Sequence, residues 1–235
     1  MPAVPWWGVL SSVAAPVLLA VGWSLAAVRQ PPGYDPVADT ISQLSSYGVI
    51  DRLILVICLA GLGVAHLVTA VGLRFVPLAG RLVHGGGGVA TVVVALVPKV
   101  DSVTPPVHGI AAVIAFVALA TWPSVAALRW SHRPGRRTGR PRSHLPGRRA
   151  ERPRSRPPVR RGGRPWPLRL PVAFAASAVL LGSGLWLALQ LPDGPTAGLA
   201  ERVTAGLEAL WPLVVVLTGP RRGTAAAGRH VSGSA

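Results

Sequence analysis

The sequence predicts an all-α fold, a polytopic helix bundle that crosses a membrane about six times, and three observations predict it. Six apolar stretches each approach the roughly 20 residues that span a bilayer core. Only 14% of the 235 residues are charged, against about a quarter in an ordinary soluble domain. The charge that is present, a formal +16, gathers in the connections between the apolar stretches. Half of the chain is hydrophobic, and its mean hydropathy is +0.47. The runs show neither a strand period nor the one-sided helical period of a soluble core, which excludes that class.

Taken in order, the first span runs from about Trp6 to Val28 without a charge. No basic segment precedes it, so it reads as a crossing and not as a removable signal peptide. The second covers about Leu53 to Leu73 and holds His66. The third, near Leu82 to Pro98, opens on the run Gly85-Gly86-Gly87-Gly88, and the fourth covers about His108 to Leu128. A fifth occupies Leu170 to Leu191. The sixth, Leu199 to Thr218, has an amphipathic first half through Glu201, Arg202 and Glu208. The organisation is therefore four spans in 1–128, a connection at 129–169, two spans in 170–219 and a tail at 220–235.

The connection Arg129 to Arg169 holds fifteen arginines and one acid, Glu151, among many prolines, glycines and serines. Such a segment cannot build a core and is expected to be disordered. Cytoplasmic loops carry the Lys/Arg excess. Placing this one inside puts 20 of the 24 basic residues there, with only Arg29, Arg52, Lys99 and Arg202 outside. Both termini are then cytoplasmic, although Arg29, taken alone, favours the opposite insertion. Trp6, Trp7, Trp130 and Trp166 fall near the inner interface, and Trp23 and Trp186 near the outer one. Heavy use of Arg, Ala, Gly, Pro and Val suggests a GC-rich bacterial genome, and with the spans this predicts a location in the bacterial plasma (inner) membrane. The arginines also predict contact with anionic lipid headgroups, about 1 kcal/mol each. Nucleic acid is disfavoured as a partner, because stacking aromatics are nearly absent from the segment.

Three polar segments fall on the outer side in this map. The first loop, Pro32 to Leu44, turns at Gly33 and Pro36, and Asp39 or Thr40 can cap a short interfacial helix. A polar hairpin from Lys99 to Gly109 contains Asp101 and ends in His108. The last loop ends in Gly198-Leu199-Ala200-Glu201-Arg202. Tyr34, Asp39, Thr40, Ser42, Asp101, His108 and Arg202 are the candidate site. Ionisable groups at span mouths can line a vestibule that binds a small molecule, a lipid or a partner protein. The same residues can equally cap helices and turn loops, with Arg202 pairing an outer acid.

These segments resemble the bacterial membrane family called domain-of-unknown-function family 998. The resemblance rests on Gly33, Tyr34, Pro36, Asp39, Thr40, Ile41, Ser42 and Leu44, then on Asp101, His108 and Ala111, and then on Gly198, Leu199, Arg202 and Trp211. It implies a helical membrane protein of six or more spans and no activity. The long basic connection has no counterpart in the pattern.

Other chemistries leave weaker traces. Ser42, His108 and Asp39 or Asp101 are the residue types of a hydrolase acting on lipid-linked substrates. No Gly-x-Ser-x-Gly elbow supports it. His66 and Glu208, ionisable groups inside spans, suit a small proton-coupled transporter or, more plainly, interhelix hydrogen bonds. His66, His84 and His108 are read at three different depths, which predicts no metal site. No motif implies a cofactor. The glycine run lacks the Lys-Ser/Thr of a phosphate loop and suits close helix packing. Cys58 is alone, so no intramolecular disulfide can form.

Overall fold

The computed structural model describes residues 2–100, 103–131, 164–191 and 194–220. Six helices account for most of them: α1 Trp6–Ala27, α2 Leu53–Gly72, α3 Leu78–Leu96, α4 Pro106–Ser131, α5 Leu170–Gln190 and α6 Ala197–Leu217. The first five are long and apolar enough to cross a membrane. α6 has 21 residues but carries Glu201, Arg202 and Glu208. The protein is an all-helical, multi-pass membrane bundle, as the apolar runs predict.

Each helix packs against the next in sequence, and α6 returns to α1, so the six form a closed ring. Small residues set the close crossings. A Cβ on Gly88 would stand 2.7 Å from the Gly63 carbonyl oxygen, and one on Gly63 would stand 2.7 Å from that of Gly88. Gly87 meets Leu119 on α4 in the same way, while Gly86 faces open space. Two members of the glycine run therefore let α3 press against both neighbours, the van der Waals packing that joins helices where water cannot drive them together.

α3 begins at Leu78, four residues before the expected Leu82. Arg81 makes this stretch look too polar to belong to a span, yet its guanidinium is used locally. Arg81 Nε donates to the Ala70 carbonyl at 2.7 Å and its Nη2 to that of Val71 at 3.1 Å. These are carbonyls of the last turn of α2, which have no partner within their own helix. The ends of the basic connection are structured too. α4 continues through Arg129 to Ser131, and residues 166–168 form a 3-10 turn whose Leu168 is buried. Arg164 donates to the Ala127 carbonyl and lies over the Trp130 ring. The rest of the connection, 132–163, and the tail 221–235 lie outside the described residues, as does Asp101.

Two apolar cores hold the ends of the ring. Ala15, Leu19, Leu55, Leu62, Ala65 and Ala209 pack at one end together with Ile41 and Leu44 from the first loop. Leu73, Phe75, Val76, Trp122, Val215 and Val216 pack at the other, where the basic connection begins. The first is the motif end of the ring and the second its loop end. Leu53, Ile57, Val64 and Val71 stay exposed along one side of α2, the face a lipid-embedded helix requires.

Candidate functional site

At the motif end the loop after α1 is fastened to the first turns of α6. The segment begins with a turn at Gly33, whose φ of +109° strains any other residue. Four successive carbonyls then turn toward α6. Leu199 N–H donates to the Val37 carbonyl at 2.9 Å and Gly198 N–H to that of Ala38 at 3.0 Å. Arg202 Nη1 donates to the Pro36 carbonyl at 2.7 Å, to Asp39 at 2.9 Å and to Gly198 at 2.9 Å. Its Nη2 donates to the Tyr34 hydroxyl. The unpaired N–H groups of the first turn of α6 and one guanidinium thus satisfy a loop that would otherwise need water. Gly198 is required by the same contact, because a Cβ there would land on the Asp39 carbonyl.

The acids of this region also serve the backbone. Asp39 Oδ2 accepts from the Asp35 N–H at 2.8 Å, and Asp35 Oδ1 from that of Val37 at 2.8 Å. Thr40 precedes a short 3-10 helix, α-free and local, spanning Ile41–Ser45. Gln43 Oε1 accepts from the Thr40 N–H at 3.1 Å, the returning half of a capping box. Ile41 and Leu44, one 3-10 turn apart, enter the core, so this helix plugs the ring and does not simply lie on the interface. Glu201 Oε2 accepts from the Ser42 N–H at 3.3 Å. Arg202 pairs with carbonyls and a phenol, and the ion pair among the described residues is Arg29–Asp51, at 2.7 Å. Burial pushes the Tyr34 phenol up from its ordinary pKa of 10.0, against the opposing pull of Arg202.

The hairpin between α3 and α4 joins this end through Lys99. Its carbonyl accepts from the Tyr47 N–H at 3.1 Å, and its half-buried ammonium acts electrostatically on both Glu201 and His108. His108 is buried and its Nδ1 lies 2.7 Å from the Val97 carbonyl. A carbonyl can only accept, so Nδ1 carries the hydrogen and the ring caps the end of α3. Ser42 Oγ lies 3.2 Å from Thr40 Oγ1, its hydrogen-bond partner. Tyr34, Asp39, Thr40, Ser42 and Arg202 thus converge, and Lys99 links them to His108. Lys99 and the buried Ser46, whose Oγ has no partner, are polar groups here that sequence reasoning passed over.

The middle of the ring holds a second polar group. The rings of His66 and His84 meet edge to face with centroids 5.1 Å apart, and Trp122 lies 4.9 Å from His84. This corrects the placement of the histidines at three depths. In an antiparallel hairpin equal distances from the turn mean equal depth. His66 stands six residues before the end of α2, and His84 stands six after the true start of α3. That spacing is present in the sequence, but a third span starting near Leu82 hides it. Glu208 is buried in α6, with Oε1 unpartnered and no contact to Arg202 recorded. A separate groove of about 460 Å³ at the loop end, lined by residues such as Trp6, Val9 and Leu217, is apolar and remote from both groups.

Among known proteins, the family described as "Protein of unknown function (DUF998)" matches residues 13–144. The match takes in the Gly33–Leu44 and Asp101–Ala111 segments, and the Gly198–Arg202 segment lies beyond it. No curated protein and no solved structure matches the chain.

Proposed function

This chain belongs to the DUF998 family, and from that premise we propose that it is a membrane binding protein whose recognition surface is its motif end. The observation that supports the reading is the meeting of residues 34–46, 97–100 and 198–202, distant along the chain, around the half-buried Lys99. In this reading Arg202, Asp39, Thr40 and Ser42 form the frame. Lys99, Ser46 and the Tyr34 hydroxyl supply the capacity left for a ligand, with Asp101 beside them in sequence. An ammonium at this junction favours an anionic group, the chemistry of a lipid headgroup or a small acid.

The charge distribution supports the orientation. With the basic connection in the cytoplasm of a bacterium, the motif end faces outward across the plasma membrane. Reporter fusions after Pro220 check it, since a reporter active only outside the cytoplasm should stay silent. The binding reading is tested by native mass spectrometry of the full chain after exchange into mixed phosphatidylglycerol and phosphatidylcholine. The wild type should retain phosphatidylglycerol preferentially, and Lys99→Gln should weaken retention about fivefold, the effect of roughly 1 kcal/mol. Equal retention of the two lipids, unchanged by Lys99→Gln and by added small carboxylates, overturns it.

A further inference from the structure

Polar side chains occur at every level of the ring's interior, and most of those at mid-depth lack partners. On α6, Glu201, Thr204, Glu208 and Trp211 recur at three- and four-residue spacing, which places them along one face. Thr204 and Glu208 are fully buried, and Thr204 Oγ1, Glu208 Oε1 and Trp211 Nε1 have no hydrogen-bond partner among the described residues. Pro212 leaves one more group without its helical bond, because it has no N–H to give to the Glu208 carbonyl four residues earlier. From the motif end, Glu208 lies about 16 Å along α6, His66 about 20 Å along α2 and His84 about 18 Å along α3, at 1.5 Å per residue. His66 Nδ1, both nitrogens of His84 and Trp122 Nε1 are buried and unpartnered as well. Beyond them, toward the loop end, Ser11 and Thr69 share a hydrogen bond of 2.8 Å, and Arg81 follows at the mouth.

Unpaired polar atoms are strongly unfavourable in a membrane interior. Their persistence through the middle of the ring, on α2, α3, α4 and α6 together, points to an occupant. These side chains are enclosed, so the occupant must be small, hydrogen-bond donor and acceptor at once, and able to reach several of them. Water meets all three requirements. We propose that the residues line a hydrated path along which protons cross the bundle, with Glu208 and the His66–His84 pair as the groups that take up and release the proton. Each step moves one proton between an oxygen or nitrogen lone pair and a neighbouring water, so charge balances without an oxidant or other reactant. Groups facing the path at its ends are Glu201, Arg202, Lys99 and His108 at the motif end and Arg81 at the loop end. The interiors of α1 and α5 contribute no titratable group.

The path does not depend on headgroup binding, and the two fail separately. The full chain is reconstituted in phosphatidylcholine vesicles that enclose a pH-sensitive dye, and proton entry is driven by a potassium diffusion potential. Internal pH should change at least about fivefold faster than in protein-free vesicles. Glu208→Gln and His84→Phe should each return the rate to the protein-free value, and Gly86→Ala, which faces open space, should leave it unchanged. Glu208→Gln keeps the size of the side chain, so it decides the matter if His84→Phe aggregates. A wild-type rate equal to that of empty vesicles overturns the proposal, and so does an undiminished rate in Glu208→Gln.

Discussion

The motif end and the middle of the ring are both polar, but they treat their polar groups in opposite ways. At the motif end Arg202 has four recorded partners, and Asp39, Glu201 and Gln43 each accept from a backbone N–H. At mid-depth His84 has two nitrogens and no partner for either. A satisfied network rigidifies the chain, whereas a buried unsatisfied group is kept against a stability cost. The difference teaches that a motif can be read for function and yet be chiefly a fastening. The residues that carry the family resemblance close the ring by tying the exit of the first helix to the start of the last.

The largest test of the fastening is Gly198→Ala. A methyl group there collides with the Asp39 carbonyl, and rigid backbone on both sides leaves no flexible atom to yield. Overpacking of this kind costs about 3 kcal/mol at its upper end. Thermal melting of the full chain in detergent should show a clear drop. An unshifted melting temperature means that the loop can swing away from α6, and the fastening is then not what holds it.

Arg202→Lys comes next. An ammonium can keep one or two of the contacts but not the planar fork that spans the Pro36, Asp39 and Gly198 carbonyls and Tyr34. The expected loss is about 2 kcal/mol in the same melting experiment. A lysine variant as stable as the wild type would show that charge alone suffices.

Much of this was legible from the residues. The spans follow from hydrocarbon thickness, so Trp6–Ala27 and Leu170–Gln190 match the apolar runs within a residue. Thr40 was a readable cap because the chemistry of capping is local. What could not be read was the partner of Arg202. Charge suggests an acid, but carbonyls of residues 36–39 have no sequence signature and only the folded loop offers them. The early start of α3 failed for a related reason, since Arg81 looks expensive in a span until the carbonyls of Ala70 and Val71 are seen to receive it. In the sequence Lys99 is one of four outer basic residues, and its electrostatic action on Glu201 and His108 depends on long-range packing.

The middle of the ring should respond with the opposite sign. Glu208→Leu removes a buried carboxyl without a recorded partner and supplies apolar surface in its place. Replacing such a group by a hydrophobic residue is often stabilising, here by roughly 1 kcal/mol. Melting temperature should therefore rise while proton flux disappears. A fall in stability comparable to that of Arg202→Lys would mean that Glu208 is held by contacts and belongs with the fastening.

Tyr34→Phe gives the smallest effect and a pH signature. The phenol oxygen accepts from Arg202, and its loss should cost about 0.5 kcal/mol because the site is partly open to water. Burial raises the Tyr34 pKa in the folded chain above the ordinary 10.0. A group with a raised folded pKa contributes its full stability below the unfolded value and loses it as pH climbs through the folded one. The wild type should therefore exceed the variant by a constant margin at neutral pH, and that margin should shrink only above about pH 10. A margin that instead widens in alkali would mean that the Arg202 charge, which favours the phenolate, outweighs burial. The Tyr34 contact would then act as an ion pair, and the fastening would be tighter in base than at neutrality.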